Sequence, residues 1–220
     1  MTADQRRHAV MALAVVLSVC FAVLAHFAII DGFPRSLGAL LSVIPLSLFV
    51  LWAARRSRQR AVAAAMVLVA ATALWFGWSA LERNFPSVFF LEHAGGNLVL
   101  ALTFGRTLVG DREALCTKFA RVIHGTLTPE VVRYTRRVTL AWSIFFATVF
   151  LTSALLYLGH FIAAWSLLAN ILNPFLIATM FVVEYAIRVR VLPHHERVGI
   201  LGGIRAFSRH LGAARFEAPR

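Results

Sequence analysis

Acidic residues are scarce in this chain. They number 10 in 220, against 22 lysines and arginines, and charged residues of both signs reach only 15%. A soluble domain carries roughly a quarter charged residues. It could not hide the 60% hydrophobic content found here, so an ordinary globular domain is excluded and a bilayer remains as the solvent. Cysteine is nearly absent too. Cys20 lies in an apolar run and Cys116 in a basic loop, at different depths or on different sides of a membrane, which argues against a disulfide and against a cysteine-based metal site. There is no Walker lysine in a glycine-rich loop, no nucleophile elbow and no zincin motif, and no stretch asks for a metal or a cofactor. Repeats and low-complexity segments are missing as well.

What is present is a series of apolar segments long enough to cross a hydrocarbon core of about 30 Å at 1.5 Å per residue. Six are predicted: 9–30, 36–54, 61–80, 86–105, 138–158 and 161–187. Pro45 is a candidate kink in the second. The fourth is the weakest, because it carries Glu92, His93, two glycines and Asn97. With the amino terminus inside, 20 of the 22 basic residues fall on one side, and only Arg35 and Arg83 lie outside. Basic loops near spans stay cytoplasmic. Dropping the fourth segment would send the tail 188–220, with its seven arginines, to the outside. The expected fold is therefore all-α: one integral membrane domain, a polytopic bundle of six transmembrane helices with both termini inside. The first segment has the basic start and apolar run of a signal peptide, with Val23-Leu24-Ala25 as a tolerable cleavage site. The run continues past that site, however, which favours a retained span. A net charge of +12 would suggest nucleic acid in a soluble protein; here it follows segment ends, and no nucleic-acid partner is expected.

Between the fourth and fifth segments lies the largest predicted cytoplasmic loop, 106–137. Leu115, Phe119, Val122 and Ile123 share one helical face, with Arg112, Lys118 and Arg121 off it. This spacing predicts a short basic amphipathic helix on the inner leaflet. Thr128-Pro129 has the form of an N-cap and first helical residue. The fifth helix is thus expected to begin at Pro129, inside the cytoplasm, and to carry Arg133, Arg136 and Arg137 to the interface. These six cations are candidates for binding lipid or a partner.

Ionisable groups within spans are functional candidates by default. Glu92 and His93 lie roughly 9–11 Å into the fourth segment. They form either a buried acid–imidazole site for proton relay or general acid/base work or, if the helix starts near Leu91, two groups at the outer interface. His93 shares a face with Asn97. In the sixth segment Asn170, Asn173 and Glu184 fall near one face, and Pro174 frees a backbone carbonyl beside them. With Asn97 they are candidates for a substrate or proton path. Equally, Glu184 can simply pair with Arg188 one turn later, and the asparagines can act as interhelical hydrogen-bond glue. Glu92 and Glu184 are expected roughly 15 Å apart along the membrane normal, too far for one metal. His26 and Asp31 match a His-x4-Asp acyltransferase spacing, which is read as chance because no supporting motif accompanies it. His194-His195-Glu196 is read as part of a solvated tail. Trp75, Trp78 and Trp165 are read as interface anchors.

Residues 90–97 (Phe-Leu-Glu-His-Ala-Gly-Gly-Asn), 104–108, 124–130, 134–137 and 181–185 together carry a likeness. The chain resembles an uncharacterised family of bacterial integral membrane proteins encoded beside fatty-acid-synthase-like clusters for aryl-polyene or xanthomonadin-type pigments. The likeness covers the last four segments well and the first two by hydropathy alone. It implies a multi-pass protein of the bacterial inner (cytoplasmic) membrane that serves a polyene pathway, and brings no established chemistry. The expected role is an accessory or scaffold for assembly or lipid attachment of an aryl-polyene-like acyl product. Its partners would be membrane lipids and acidic acyl carrier proteins or other pathway proteins, steered by complementary charge. A transporter of that product is the alternative and a membrane acyl-transfer enzyme the second; the balance leans away from an enzyme.

Overall fold

The computed structural model describes residues 3–30, 33–57 and 59–192. Every element among them is helical. In chain order these are α1 (Ala3–Ile30), α2 (Arg35–Arg56), α3 (Arg60–Gly105), α4 (Leu115–His124), α5 (Pro129–Leu158), α6 (Ile162–Ser166), a π-helical segment (Leu167–Leu172) and α7 (Asn173–Val191). Five helical stretches are long and apolar enough to cross a membrane: His8–Ile30, Arg35–Arg56, Arg60–Gly105, Pro129–Leu158 and Ile162–Val191.

The segments expected at 61–80 and 86–105 lie in the single helix α3, of 46 residues. At 1.5 Å per residue that is about 69 Å, twice a hydrocarbon core. Asn84 breaks it, with φ −126° and ψ 19°. The cause is local: Pro86 has no N–H for the carbonyl one turn back and crowds it. The Asn84 side-chain amide donates to the Ala80 carbonyl at 2.9 Å. Residues 60–83 and 85–105 are thus two helical pieces of about 36 and 32 Å. A second proline effect shapes the last stretch. Pro174 lies two residues after the π-helical segment, whose wider turn relieves the clash an α-helical register would impose there. α5 begins at Pro129, as expected from the sequence.

Packing is inverted relative to a soluble protein. Large apolar side chains point outward, Trp75 and Phe76 each 81% exposed. The most completely buried side chains other than Trp165 are small, Ala25 and Ala39 among them, and most are polar: Thr117, Thr139, Ser42, Ser153 and Ser166. Apolar exteriors with small, hydrogen-bonding interiors are what a bilayer selects, because lipid tails remove any drive to bury leucine. The chain is a multi-pass membrane protein.

Two compact units divide the chain: Met1–Gly95 with Thr152–Phe175, and Gly96–Leu151 with Leu176 onward. In the first, Ala25 and Ala28 of α1, Ala39 and Leu41 of α2, and Phe85 and Phe89 of α3 close around Trp165. α2 and α3 approach closely where Gly38 meets Phe85; a Cβ at Gly38 would lie 2.5–2.7 Å from the Phe85 ring. In the second unit Ala101, Trp142 and Phe146 form the core, with Phe104, Val138 and Met180 against it. The Ser143 hydroxyl donates to the Ala101 carbonyl at 3.1 Å, fixing α5 on the end of α3.

Candidate functional site

In the first unit, hydrogen bonds gather at the turn joining α5 to α6. The turn is tight: His160 has φ 62°, and a Cβ on Gly159 would meet the Leu155 carbonyl at 2.9 Å. It brings the end of α5 back against α6. Ser153 of α5 is fully buried. It accepts the Trp165 indole N–H at 2.9 Å and lies 3.1 Å from His93 Nδ1. Indole nitrogen only donates, so the serine oxygen accepts there and keeps both its O–H and a second lone pair for His93 Nδ1, the imidazole tautomer setting the direction of that bond. One turn further along α5, the Tyr157 hydroxyl bonds Ser87 at 2.8 Å, and the Tyr157 ring stacks on Phe90 at 4.2 Å and 9°. Trp165 meets Tyr157 edge-on at 5.1 Å. Ser87, Phe90 and His93, three residues apart along α3, thus present one polar and aromatic edge to Ser153 and Tyr157.

A second knot adjoins the first through the neighbouring residue of α6. His26 Nδ1 of α1 lies 2.9 Å from the Ser166 hydroxyl. Asn170 donates to the same hydroxyl at 3.2 Å and to the Ser166 carbonyl at 3.1 Å. The π-helical turn is the reason: it shifts the backbone register from Leu167 onward, and the Asn170 amide fills the carbonyl of the residue before it.

Several expectations change here. Trp165 is not an interface anchor; it is fully buried and its N–H is spent on Ser153. His26, read only as a chance spacing with Asp31, is the ligand of Ser166, while Asp31 lies outside the described residues. His93 and Asn170 belong to this seam. Glu92 does not bond His93, and its Oε1 is buried with no hydrogen-bond partner among the described residues. Asn173 Oδ1 is likewise buried and unmatched. Asn97 is buried in the other unit, at 6% exposure. Ser87, Ser153, Tyr157 and Ser166 escaped the sequence reading; their signal is a set of single hydroxyls spaced three or four apart in apolar runs. Ser153 is no nucleophile in this conformation, since a fully buried hydroxyl leaves no room for an acyl group. Among the described residues no three His, Cys, Asp or Glu side chains could hold a metal.

Glu184, in the second unit, accepts the Tyr134 hydroxyl at 3.1 Å and lies 3.7 Å from Arg188 Nε, one turn along. The pairing expected with Arg188 is present, with tyrosine added. Nearby, α4 docks on α5 through polar contacts: Thr117 to Thr135 at 2.7 Å, and the Cys116 amide to Thr139 at 3.1 Å. Ala114 cannot cap α4, and the Thr107 hydroxyl does so from a distance, accepting the Leu115 amide at 3.1 Å. Phe119 and Val122, the middle of the predicted apolar face, remain exposed.

The six cations separate into two sets. Arg121 binds Glu113 at 2.8 Å, Arg136 donates to the Leu108 carbonyl at 2.8 Å, and Arg112 reaches the Arg106 carbonyl at 3.4 Å. These hold the 106–114 turn. Lys118, Arg133 and Arg137 are exposed, and their side chains have no hydrogen bond or ion pair among the described residues. The His194-His195-Glu196 run lies outside the described residues. No family model, no curated protein and no solved structure matches the chain.

Proposed function

We propose that this is an accessory protein of the bacterial inner membrane that receives an acidic acyl carrier on the basic face formed by α4 and the first turns of α5, in assembly or lipid attachment of an aryl-polyene-like product. One observation carries the reading. Lys118, Arg133 and Arg137 are exposed cations that the fold does not use, beside the exposed apolar Phe119 and Val122. Such a face offers steering charge together with an anchor at the bilayer edge.

The same proposal includes six crossings with both termini inside. It requires 60–83 and 85–105 to cross separately, with Arg83 and Asn84 outside. Support comes from the first-unit core. It draws on Ala25 and Ala28, Ala39 and Leu41, Trp78 and Leu81, Phe85 and Phe89, Leu156 and Tyr157, and Trp165. Each pair lies at the end of a segment that this threading puts on the outer side.

The test is mass spectrometry of membrane extracts from a strain lacking the protein and complemented with variants. Lys118→Gln/Arg133→Gln/Arg137→Gln is expected to lose product and accumulate carrier-bound intermediates, while Glu92→Gln and His93→Ala keep it. Normal product from the triple variant would overturn the docking reading. A second reading, export of the finished product, is favoured by the His93–Ser153–Trp165 and His26–Ser166–Asn170 seam, because polar groups in spans mark paths. Mature product trapped in the inner membrane by His93→Ala would select it.

A further inference from the structure

Charge is least compensated at the turn between α2 and α3. No Asp or Glu occurs between Asp31 and Glu82, yet Arg55, Arg56 and Arg60 are all exposed at this turn. The ion pairs among the described residues are Arg121–Glu113 and Arg188–Glu184, both elsewhere. No acidic side chain among the described residues pairs with these arginines.

The flank of α2 indicates what kind of partner suits them. Phe49 and Trp52 are 64% and 52% exposed, and their rings stack at 5.9 Å and 29°. The Arg56 guanidinium sits over the Trp52 ring, 4.7 Å from its centroid. Along about 10 Å of helix the surface therefore passes from purely apolar, at Phe49, through the amphipathic indole to a cation. That gradient is the one found across the headgroup layer of a bilayer. Stacking uses the face of the guanidinium and leaves its N–H edge free, in the fork that matches two phosphate oxygens. Leu48 and Leu51 of α2 are exposed as well, and Val62 on α3. A soluble acidic protein could satisfy the arginines but would have to enter hydrocarbon to cover Phe49.

We infer that the α2–α3 turn is a docking surface for anionic phospholipid. The headgroup phosphate is held by Arg56 with Arg55 and Arg60, and the acyl stem lies along Trp52 and Phe49. None of these residues belongs to the α4–α5 face.

The full chain in nanodiscs tests it. Two preparations contain phosphatidylcholine with the same minor amount of lipid brominated near the ester end of its acyl chains, either phosphatidylglycerol or phosphatidylcholine. Bromine quenches tryptophan on contact, and the part due to Trp52 is the difference between wild type and Trp52→Phe. That part is expected to be quenched at least about twofold more by the glycerol lipid. Arg55→Gln/Arg56→Gln/Arg60→Gln is expected to abolish the preference, and Lys118→Gln/Arg133→Gln/Arg137→Gln to leave it intact. Equal quenching by the two lipids in the wild-type comparison, which needs no arginine variant, overturns the inference; that is also the outcome if an acidic protein is the true occupant. A preference that survives the 55/56/60 variant overturns the role given to these arginines.

Discussion

Ser153→Ala tests the buried seam most directly. The hydroxyl is fully buried, accepts the Trp165 N–H at 2.9 Å and lies 3.1 Å from His93 Nδ1. Alanine nearly preserves the volume but leaves both partners unmatched in a site lined by Phe90 and Tyr157. Interhelical hydrogen bonds in membrane proteins are worth about 0.6–2 kcal/mol each, and stranding a buried polar group costs about 1–3 kcal/mol. Two such losses give an expected destabilisation of about 2–4 kcal/mol. Trp165→Phe removes one of the two bonds and should cost less from hydrogen bonding alone. Because that bond is already gone in Ser153→Ala, the double variant should fall short of additivity by about 1 kcal/mol. Reversible unfolding by dodecyl sulfate in mixed micelles, followed by circular dichroism, measures all three. A Ser153→Ala loss below about 0.5 kcal/mol, or strict additivity, would refute the view that this hydroxyl joins α3, α5 and α6.

Other predictions follow from the same geometry. Gly38→Leu, which drives a side chain into the Phe85 ring, should lower the thermal midpoint in detergent, and Phe85→Ala should partly restore it; no interaction between the two changes would refute the contact. A cysteine at position 84, in a background free of Cys20 and Cys116, should react with an impermeant maleimide from outside intact cells, and one at 109 only after permeabilisation. The reverse pattern would sink the six-crossing topology. Tyr134→Phe and Glu184→Gln should weaken the protein by similar amounts and less than additively in combination, because Tyr134 O–H donates to the Glu184 carboxylate. Burial pushes the Cys116 thiol above its ordinary value of 9.0, outweighing the Thr139 hydrogen bond that lowers it. Only the thiolate is alkylated, so at pH 8 iodoacetamide should modify Cys116 more slowly in the native protein than after denaturation. The native rate should climb as pH is raised past the ordinary thiol range.

Helical spans were legible because hydropathy accumulates over twenty residues and survives local exceptions. The start of α5 at Pro129 and the helix at 115–124 were legible because capping and amphipathic signals are local. The break in α3 was half legible: the charge pattern located a boundary near residue 83, but whether Pro86 makes a loop or a kink depends on what the freed carbonyls find. Here the chain stays helical on both sides of Asn84, whose side-chain amide donates to the Ala80 carbonyl, and the result is a kink. The seam was least legible. Ser153 and Ser166 are single hydroxyls in apolar runs, and hydropathy averages them away. Only the tight turn at Gly159-His160 gives each a partner on another helix. Trp165 was misread for the related reason that an aromatic near a span end looks the same whether it faces lipid or protein.

Positions of polar groups also bear on mechanism. A transport path needs polar side chains that can exchange partners, whereas Ser153 and Trp165, and Ser87 and Tyr157, are paired with each other in the seam. Its hydroxyl, indole and stacked rings hold one another as a structural weld would. The cations Lys118, Arg133 and Arg137 are the opposite case, exposed and unspent. A group that the fold leaves unsatisfied at no structural gain is the better candidate for an external partner than one it has already paired. This is why docking at α4 and α5 ranks above export through the seam. It also explains why Glu92 is the residue whose behaviour would change that ranking. Its Oε1 is buried without a partner among the described residues, and an unpaired buried carboxyl oxygen is destabilising unless a proton or a ligand answers it. If Glu92→Gln stabilises the protein without loss of product, the carboxyl is a tolerated strain beside the weld. If the same change stabilises the protein and traps product in the inner membrane, the carboxyl has been kept for transport.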